Sequence, residues 1–268
     1  TLGSRASRAA FASVLGQGAT QGLRLVGNLI LSYLLFPEAF VLMLIANTVL
    51  LGLQILSELG LQPAIIRHPR GDDPDFVNTA WTIGVVRGIA LFGIGLILTI
   101  PIANFYREPM LRQILPAAVS SALIVGFIST KMAILTRHLR PGPVLVIEIA
   151  AQAAGLVVMA IHAKLAPSVW VLVVGGLVTA LVKTLLSQLA LPGPMNRFRW
   201  EAHARRDLAS FGKWLFVSSI FTFVAMRSDV VMLGRLLPVD TLGVYSIGIM
   251  LSMVVRDMLQ QLHRFSLM

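Results

Sequence analysis

The stretch Ile89-Ala90-Leu91-Phe92-Gly93-Ile94-Gly95-Leu96-Ile97-Leu98-Thr99-Ile100-Pro101-Ile102, IALFGIGLILTIPI, contains no charged residue. Extended in both directions, the apolar run covers Asn78–Ala103 and is interrupted by one charge, Arg87. About 20 such residues carry an α-helix across the hydrocarbon core of a bilayer. A transmembrane barrel strand needs only about ten residues, with alternating polarity. The stretch therefore reads as a membrane-spanning helix.

Seven further runs read the same way: Phe11–Leu35, Phe40–Leu61, Leu115–Leu135, Pro143–His162, Val169–Leu191, Gly212–Leu237 and Leu242–Leu262. The expected fold class is an all-α polytopic membrane protein of about eight transmembrane helices. We expect a six-helix amino-terminal bundle over residues 1–191 and a cytoplasmic linker over 192–211. Residues 212–268 would begin a second, incomplete bundle of two helices.

Composition agrees. The chain is 56% hydrophobic and 13% charged, with a mean hydropathy of +0.82, whereas soluble domains carry about 25% charged residues. A net charge of +10 in a soluble chain would suggest a nucleic-acid partner. Here no nucleic acid is expected, because the arginines lie mainly in short loops between apolar runs. Cysteine is absent, which excludes a disulfide framework and thiol chemistry. The first apolar run is too long for a cleavable signal peptide and holds Arg24. The chain opens at Thr1, which suggests a processed chain or a fragment.

The loops set the orientation. Alternate loops hold Arg5, Arg8, Arg67, Arg70, Lys131, Arg137, Arg140, Arg197, Arg199, Arg205, Arg206 and Lys213, against Arg107, Arg112, Lys164 and Arg235 in the others. Positive charge is retained on the cytoplasmic side, so the amino terminus is expected in the cytoplasm. Asp73-Pro74 reads as a helix N-cap followed by proline at the first helical position. Leu34–Phe40 (LLFPEAF) resembles Leu236–Leu242 (LLPVDTL), with Arg24 and Arg227 upstream of each. This short repeat would place the seventh helix parallel to the first, as in two-bundle transporters.

Polar residues inside the spans mark the candidate site. Gln17, Gln21, Arg24 and Asn28 are spaced to share one helix face, which cannot face lipid. Their face meets either a neighbouring helix or a wet cavity. Asn47, Gln54 and Glu58 share a face of the second helix. Glu148, Gln152, Gly155, Met159 and His162 do so in the fifth, and Thr179, Lys183 and Ser187 in the sixth. Arg87 lies about 13 Å from Asn78 at 1.5 Å per residue, where snorkelling to the headgroups competes with a cavity role. Arg24 and Arg227 lie too deep to snorkel.

The substrate-binding candidates are Arg24, Arg227, Gln21, Asn28, Lys183 and Arg87. Glu148 and Asp229 are candidates for ion coupling, since buried carboxylates can titrate near neutral pH. The excess of deep cations suits an anionic cargo, because guanidinium groups bind phosphate oxygens bidentately. No catalytic residue, metal ligand set or cofactor is expected. The histidines lack metal-ligand spacing, and no phosphate-binding glycine motif is present. Asp73-Pro74-Asp75 is too short to argue for a sugar-transfer metal site.

Five blocks taken in order resemble a known family: RLVGNLILSYLLFPEAF (24–40), SELGLQPAIIRHPRGDDPDFVNTAWT (57–82), STKMAILTRHLRPGPVLVIEI (129–149), SVWVLVVGGLV (168–178) and FRWEAHARRDLASFGKWLF (198–216). This is the polysaccharide and oligosaccharide flippase family, within the superfamily of multidrug, oligosaccharidyl-lipid and polysaccharide exporters. The resemblance implies two six-helix bundles around a central cavity in the bacterial inner membrane. It implies transport of a lipid-diphosphate-linked oligosaccharide or polysaccharide precursor between leaflets. The implied partners are that anionic cargo, membrane lipids and other polysaccharide assembly proteins. This chain differs from the family pattern by ending after the eighth expected helix. Three alternatives remain open at this point: a cation-coupled multidrug exporter, a membrane-bound glycan-assembly enzyme, or a truncated accessory protein of an export system.

Overall fold

A computed structural model describes residues 2–57 and 60–208, with fourteen scattered positions between 218 and 252. Among the described residues the chain is helical and has no strand. The elements are α1 (Leu2–Leu34), α2 (Pro37–Leu56), α3 (Leu61–Arg67), α4 (Pro74–Tyr106), α5 (Leu111–Gly126), α6 (Lys131–Arg137), α7 (Gly142–Leu165) and α8 (Trp170–Leu189). Four of these, α2, α4, α7 and α8, are long and apolar enough to cross a membrane. The count becomes five if α5 and α6 form one span bent by 58°. The chain is an all-α polytopic membrane protein. The expected helices Gly212–Leu237 and Leu242–Leu262 and the repeat at Leu236–Leu242 lie largely outside the described residues.

The local signals explain the boundaries. Pro37 and Pro74 sit at helix starts, and the Asp73 side chain accepts from the Asp75 amide at 3.0 Å. The N-cap expected from sequence is therefore present. α1 begins well before Phe11 because residues 2–10 contain no proline and carry the good helix formers Arg5, Ala6, Arg8, Ala9 and Ala10, so propensity extends the helix beyond the apolar run.

Two expected helices are broken. The run Phe40–Leu61 ends at Leu56, and α3 restarts after Gly60, whose φ of 61° is left-handed. The run Leu115–Leu135 breaks at residues 127–130. There Gly126 meets α4 backbone to backbone: a Cβ on Gly126 would lie 3.1 Å from the Gly84 carbonyl and 3.2 Å from Gly88 Cα. Neighbouring groups satisfy the backbone freed by the break. The Phe127 carbonyl accepts from Gln188 Nε2 at 2.8 Å and Trp81 Nε1 at 3.4 Å, and the Ser129 amide donates to Ser187 Oγ at 3.0 Å. Irregular backbone at this depth is tolerated where protein supplies such partners.

The core follows the packing order. α5 lies between α4, α2 and α8, and α7 lies between α8 and α1. The largest buried cluster joins Val41, Ile45, Leu111, Ile114, Val119 and Val173 from α2, α5 and α8. Gly16 and Gly27 of α1 face the side-chain ends of Leu145 and Leu156 of α7, which occupy the space a Cβ would take. α1, despite its 33 residues, is less apolar than the other long helices because Gln17, Gln21, Arg24 and Asn28 lie along it.

Candidate functional site

The two interrupted helices end at the same place. The C-terminus of α2, the helix α3, the first half of α4 and the α5/α6 break enclose a cavity of about 460 Å³. Its polar lining comes from Gln54, Gln62, Trp81, Arg87, Ser129 and Thr130, and the rest is largely apolar. The arginine-rich loops all lie at this end of the helices.

Arg87 is the candidate that the structure brings to the cavity wall. Its Nε donates to Ser57 Oγ at 2.9 Å and its Nη2 to the Gln54 carbonyl at 2.7 Å. Gln54 lies in the last turn of α2, where carbonyls lack helical amide partners, and Ser57 is the C-cap of that helix, whose hydroxyl also donates to the Gln54 carbonyl at 3.2 Å. The guanidinium thus caps α2 across the cavity, and Arg87 is half-buried there.

Glu148 and Lys183 are brought together. Lys183 Nζ lies 3.0 Å from Glu148 Oε1, with the two side chains 31% and 34% exposed. The polar faces expected on these two helices meet at Lys183 and Thr179, whereas Ser187 turns to the α5/α6 break. Gly155 of α7 packs on Thr179 and the Gly175 carbonyl, and Met159 packs on Gly175. Of the two environments open to a polar stripe, this one faces a neighbouring helix, with the ion pair at its edge.

The remaining candidates are dispersed. Arg24 is exposed on α1 and Gln21 is half-buried on the same helix, which also carries Asn28. Arg227, Asp229 and Glu58 lie outside the described residues. Among the described residues, no group of three or more His, Asp or Glu could hold a metal ion.

Sequence reasoning missed Lys131, read as a loop cation. It is 6% exposed, and its Nζ donates to the Gln188 carbonyl at 2.9 Å and the Leu191 carbonyl at 3.2 Å. The positive end group thus closes the C-terminus of α8, where the helix dipole favours a cation. Asn196 was missed too. Its Oδ1 accepts from Ser129 Oγ at 2.7 Å and the Thr130 amide at 3.3 Å, and its Nδ2 donates to Thr130 Oγ1 at 2.6 Å. The available signal was Ser129-Thr130-Lys131, three polar residues inside an apolar run.

Outside the spans, an ionic network fastens the loops. Arg70 donates to Asp73 at 2.8 Å and to Glu201 at 2.7 Å. The hydrogen bond from Arg70 and that from the Asp75 amide hold the Asp73 carboxyl below its ordinary pKa. Arg137 donates to the carbonyls of Ile65, Ile66 and His68, capping α3, and to Asp72 at 3.0 Å. His138 meets Asp72 at 2.8 Å. Burial pushes the Asp72 carboxyl up, but the hydrogen bonds from His138 and Arg137 outweigh it and leave the pKa lowered.

Residues 196–208 dock into this network. The amides of Arg197, Arg199 and Glu201 donate to the side chains of Asn78, Thr82 and Thr79 at 3.0, 3.0 and 3.1 Å. Phe198 packs on Trp81 with ring centroids 5.0 Å apart. Residues 202–208 form a short helix that buries Ala204 and Leu208 against Ile65, Phe76 and Ala133.

A family described as polysaccharide biosynthesis protein matches residues 30–264. The chain belongs to this family. The match to the polysaccharide biosynthesis protein family takes in α2 through α8, the cavity and the docked segment. The succinoglycan biosynthesis transport protein ExoT of Rhizobium meliloti (strain 1021) is 26% identical over 239 residues, 87% of this chain and 47% of that protein. The chain therefore spans about half the length of this curated relative. No solved structure matches it.

Proposed function

We propose that this chain takes part in translocating a lipid-diphosphate-linked oligosaccharide or polysaccharide precursor across the bacterial inner membrane. The observation that carries this reading is family membership across residues 30–264. The name of the ExoT relative as a transport protein supports it, as do cations kept within apolar helices. The arginine-rich end faces the cytoplasm in this reading, following the positive-inside rule. The anionic diphosphate enters between two helix bundles and meets Arg24 and Arg227, with Gln21 and Asn28 on the same wall as Arg24. The lipid tail stays in the bilayer. Rocking of one bundle against the other then exposes the headgroup on the opposite side.

Arg87 acts in this scheme from the cavity wall, holding the C-terminus of α2 in place. The Glu148–Lys183 pair joins α7 to α8, and proton or sodium coupling would act by loosening that contact. A charge at a bilayer centre costs about 2.5–3.5 kcal/mol on insertion scales, a cost that cargo binding would explain at Arg24. In cells carrying the full-length gene, Arg24→Ala is expected to abolish export of surface polysaccharide without lowering membrane abundance. Normal export by a fully inserted Arg24→Ala protein would reduce Arg24 to a structural role.

A further inference from the structure

Among the described residues, most acids at the arginine-rich end are paired with cations. Asp72 pairs with Arg137 and meets His138, Asp73 and Glu201 pair with Arg70, and Asp75 pairs with Arg199, while Asp207 lies 3.8 Å from the His68 ring. Three neighbouring arginines, Arg197, Arg205 and Arg206, are exposed and have no acidic partner among the described residues. The Arg205 guanidinium lies over the Trp200 ring, 5.9 Å from its centroid.

Exposed apolar groups stand among these cations. Met195, Phe198 and Trp200 are 59%, 68% and 54% exposed. The segment is held at the end of α4 by three hydrogen bonds from its amides to side chains of that helix, so its position is set before any outside partner arrives. Aromatic and basic residues fixed at the end of a spanning helix match the headgroup layer, where tryptophan rings and guanidinium groups are both stabilised.

We propose that residues 195–206 dock on anionic phospholipid headgroups of the surrounding bilayer, with Arg197, Arg205 and Arg206 taking the phosphates and Trp200 entering the interface. Charge complementarity selects this occupant. The surplus is positive, Asp72, Asp73, Asp75 and Glu201 are already taken by other cations, and the helix to which the segment is strapped is itself in the bilayer. Arg199 is committed to Asp75 at 3.0 Å. The surface does not depend on which cargo the protein moves.

The test is native mass spectrometry of the purified full chain with phosphatidylglycerol or phosphatidylcholine added. The triple variant R197Q/R205Q/R206Q is expected to retain phosphatidylglycerol about fivefold less per arginine, roughly a hundredfold in all. A matched triple at the other end, R107Q/R112Q/K164Q, removes the same charge and is expected to change retention little. Equal losses in the two triples, or no loss in the first, overturn the proposal. Farnesyl diphosphate serves as a third probe. If the first triple loses only that ligand and keeps phosphatidylglycerol, the surface binds a lipid diphosphate and the proposal fails.

A second measurement needs no arginine variant. The difference in fluorescence quenching between the native chain and Trp200→Phe is expected to be larger in brominated phosphatidylglycerol than in brominated phosphatidylcholine. Equal quenching in the two lipids would sink the idea.

Discussion

At the scale of the residue, Lys131 is the side chain whose role changes most between sequence and structure. A lysine in a basic loop normally keeps its ammonium in water. Here the ammonium lies under the last turn of α8 and takes the Gln188 carbonyl, which the helix leaves unpaired, together with the Leu191 carbonyl just beyond it. Hydrogen bonds to a charged donor contribute about 1.5–3 kcal/mol each at most. Lys131→Met keeps the length of the side chain and removes the donors. It is expected to lower stability by about 2–3 kcal/mol, read as an earlier thermal unfolding transition in detergent. An unchanged transition would mean that the capping contact contributes nothing. Gly71 makes a related point: a Cβ there would run into the Ile65 carbonyl and the Arg137 guanidinium that caps α3. Neither role is visible in local sequence, because Lys131 meets carbonyls 57 and 60 positions away and the Arg137 guanidinium beside Gly71 comes from a different helix.

At the scale of the element, the crossing of α4 and α5 depends on absent side chains. A Cβ on Gly88 would lie 2.9 Å from the Ala122 carbonyl and 3.1 Å from Gly126 Cα, both backbone atoms that cannot turn aside. One turn and a half later on the same helix, Gly93 has nothing within 4 Å. Gly88→Ala is therefore expected to destabilise the protein by about 1–3 kcal/mol through overpacking. Gly93→Ala is expected to be neutral or stabilising by up to about 1 kcal/mol, from helix propensity alone. Parallel thermal melts of the two variants check this, and equal melting temperatures would count against the close crossing. The breaks after α2 and α5 follow the same physics. A helix stops where a glycine permits close approach or a left-handed turn and where side chains from other elements meet the freed backbone groups. Periodicity in an apolar run carries neither fact.

At the scale of the whole molecule, residues 192–211 read from sequence as a polar linker, and their first part is strapped to the bundle. Three amides in no regular structure donate to Asn78, Thr79 and Thr82, and Ala204 and Leu208 are buried. In the two-bundle scheme, movement between bundles would then begin beyond Leu208. Combining Asn78→Ala, Thr79→Val and Thr82→Val is expected to free the strap, so that trypsin cuts after Arg197 and Arg199 at least tenfold faster than in the native chain. Cleavage at an unchanged rate would show that the ionic contacts alone hold the segment.

The sequence by itself determined that this is an all-α membrane protein. It located α4, α7 and α8 within a few residues, and it identified the N-cap at Asp73. These features depend on apolar length and on local backbone chemistry, which are written along the chain. It also named Arg87, Glu148 and Lys183 as polar residues inside spans. Only the tertiary structure decided that Arg87 closes α2 across a cavity, that Glu148 and Lys183 meet each other, and that Lys131 is buried. A charge within a bilayer must find a partner, but sequence spacing cannot say which helix supplies it. That choice is made by helix packing, where glycine contacts set which faces meet and which carbonyls are left for a cation to satisfy.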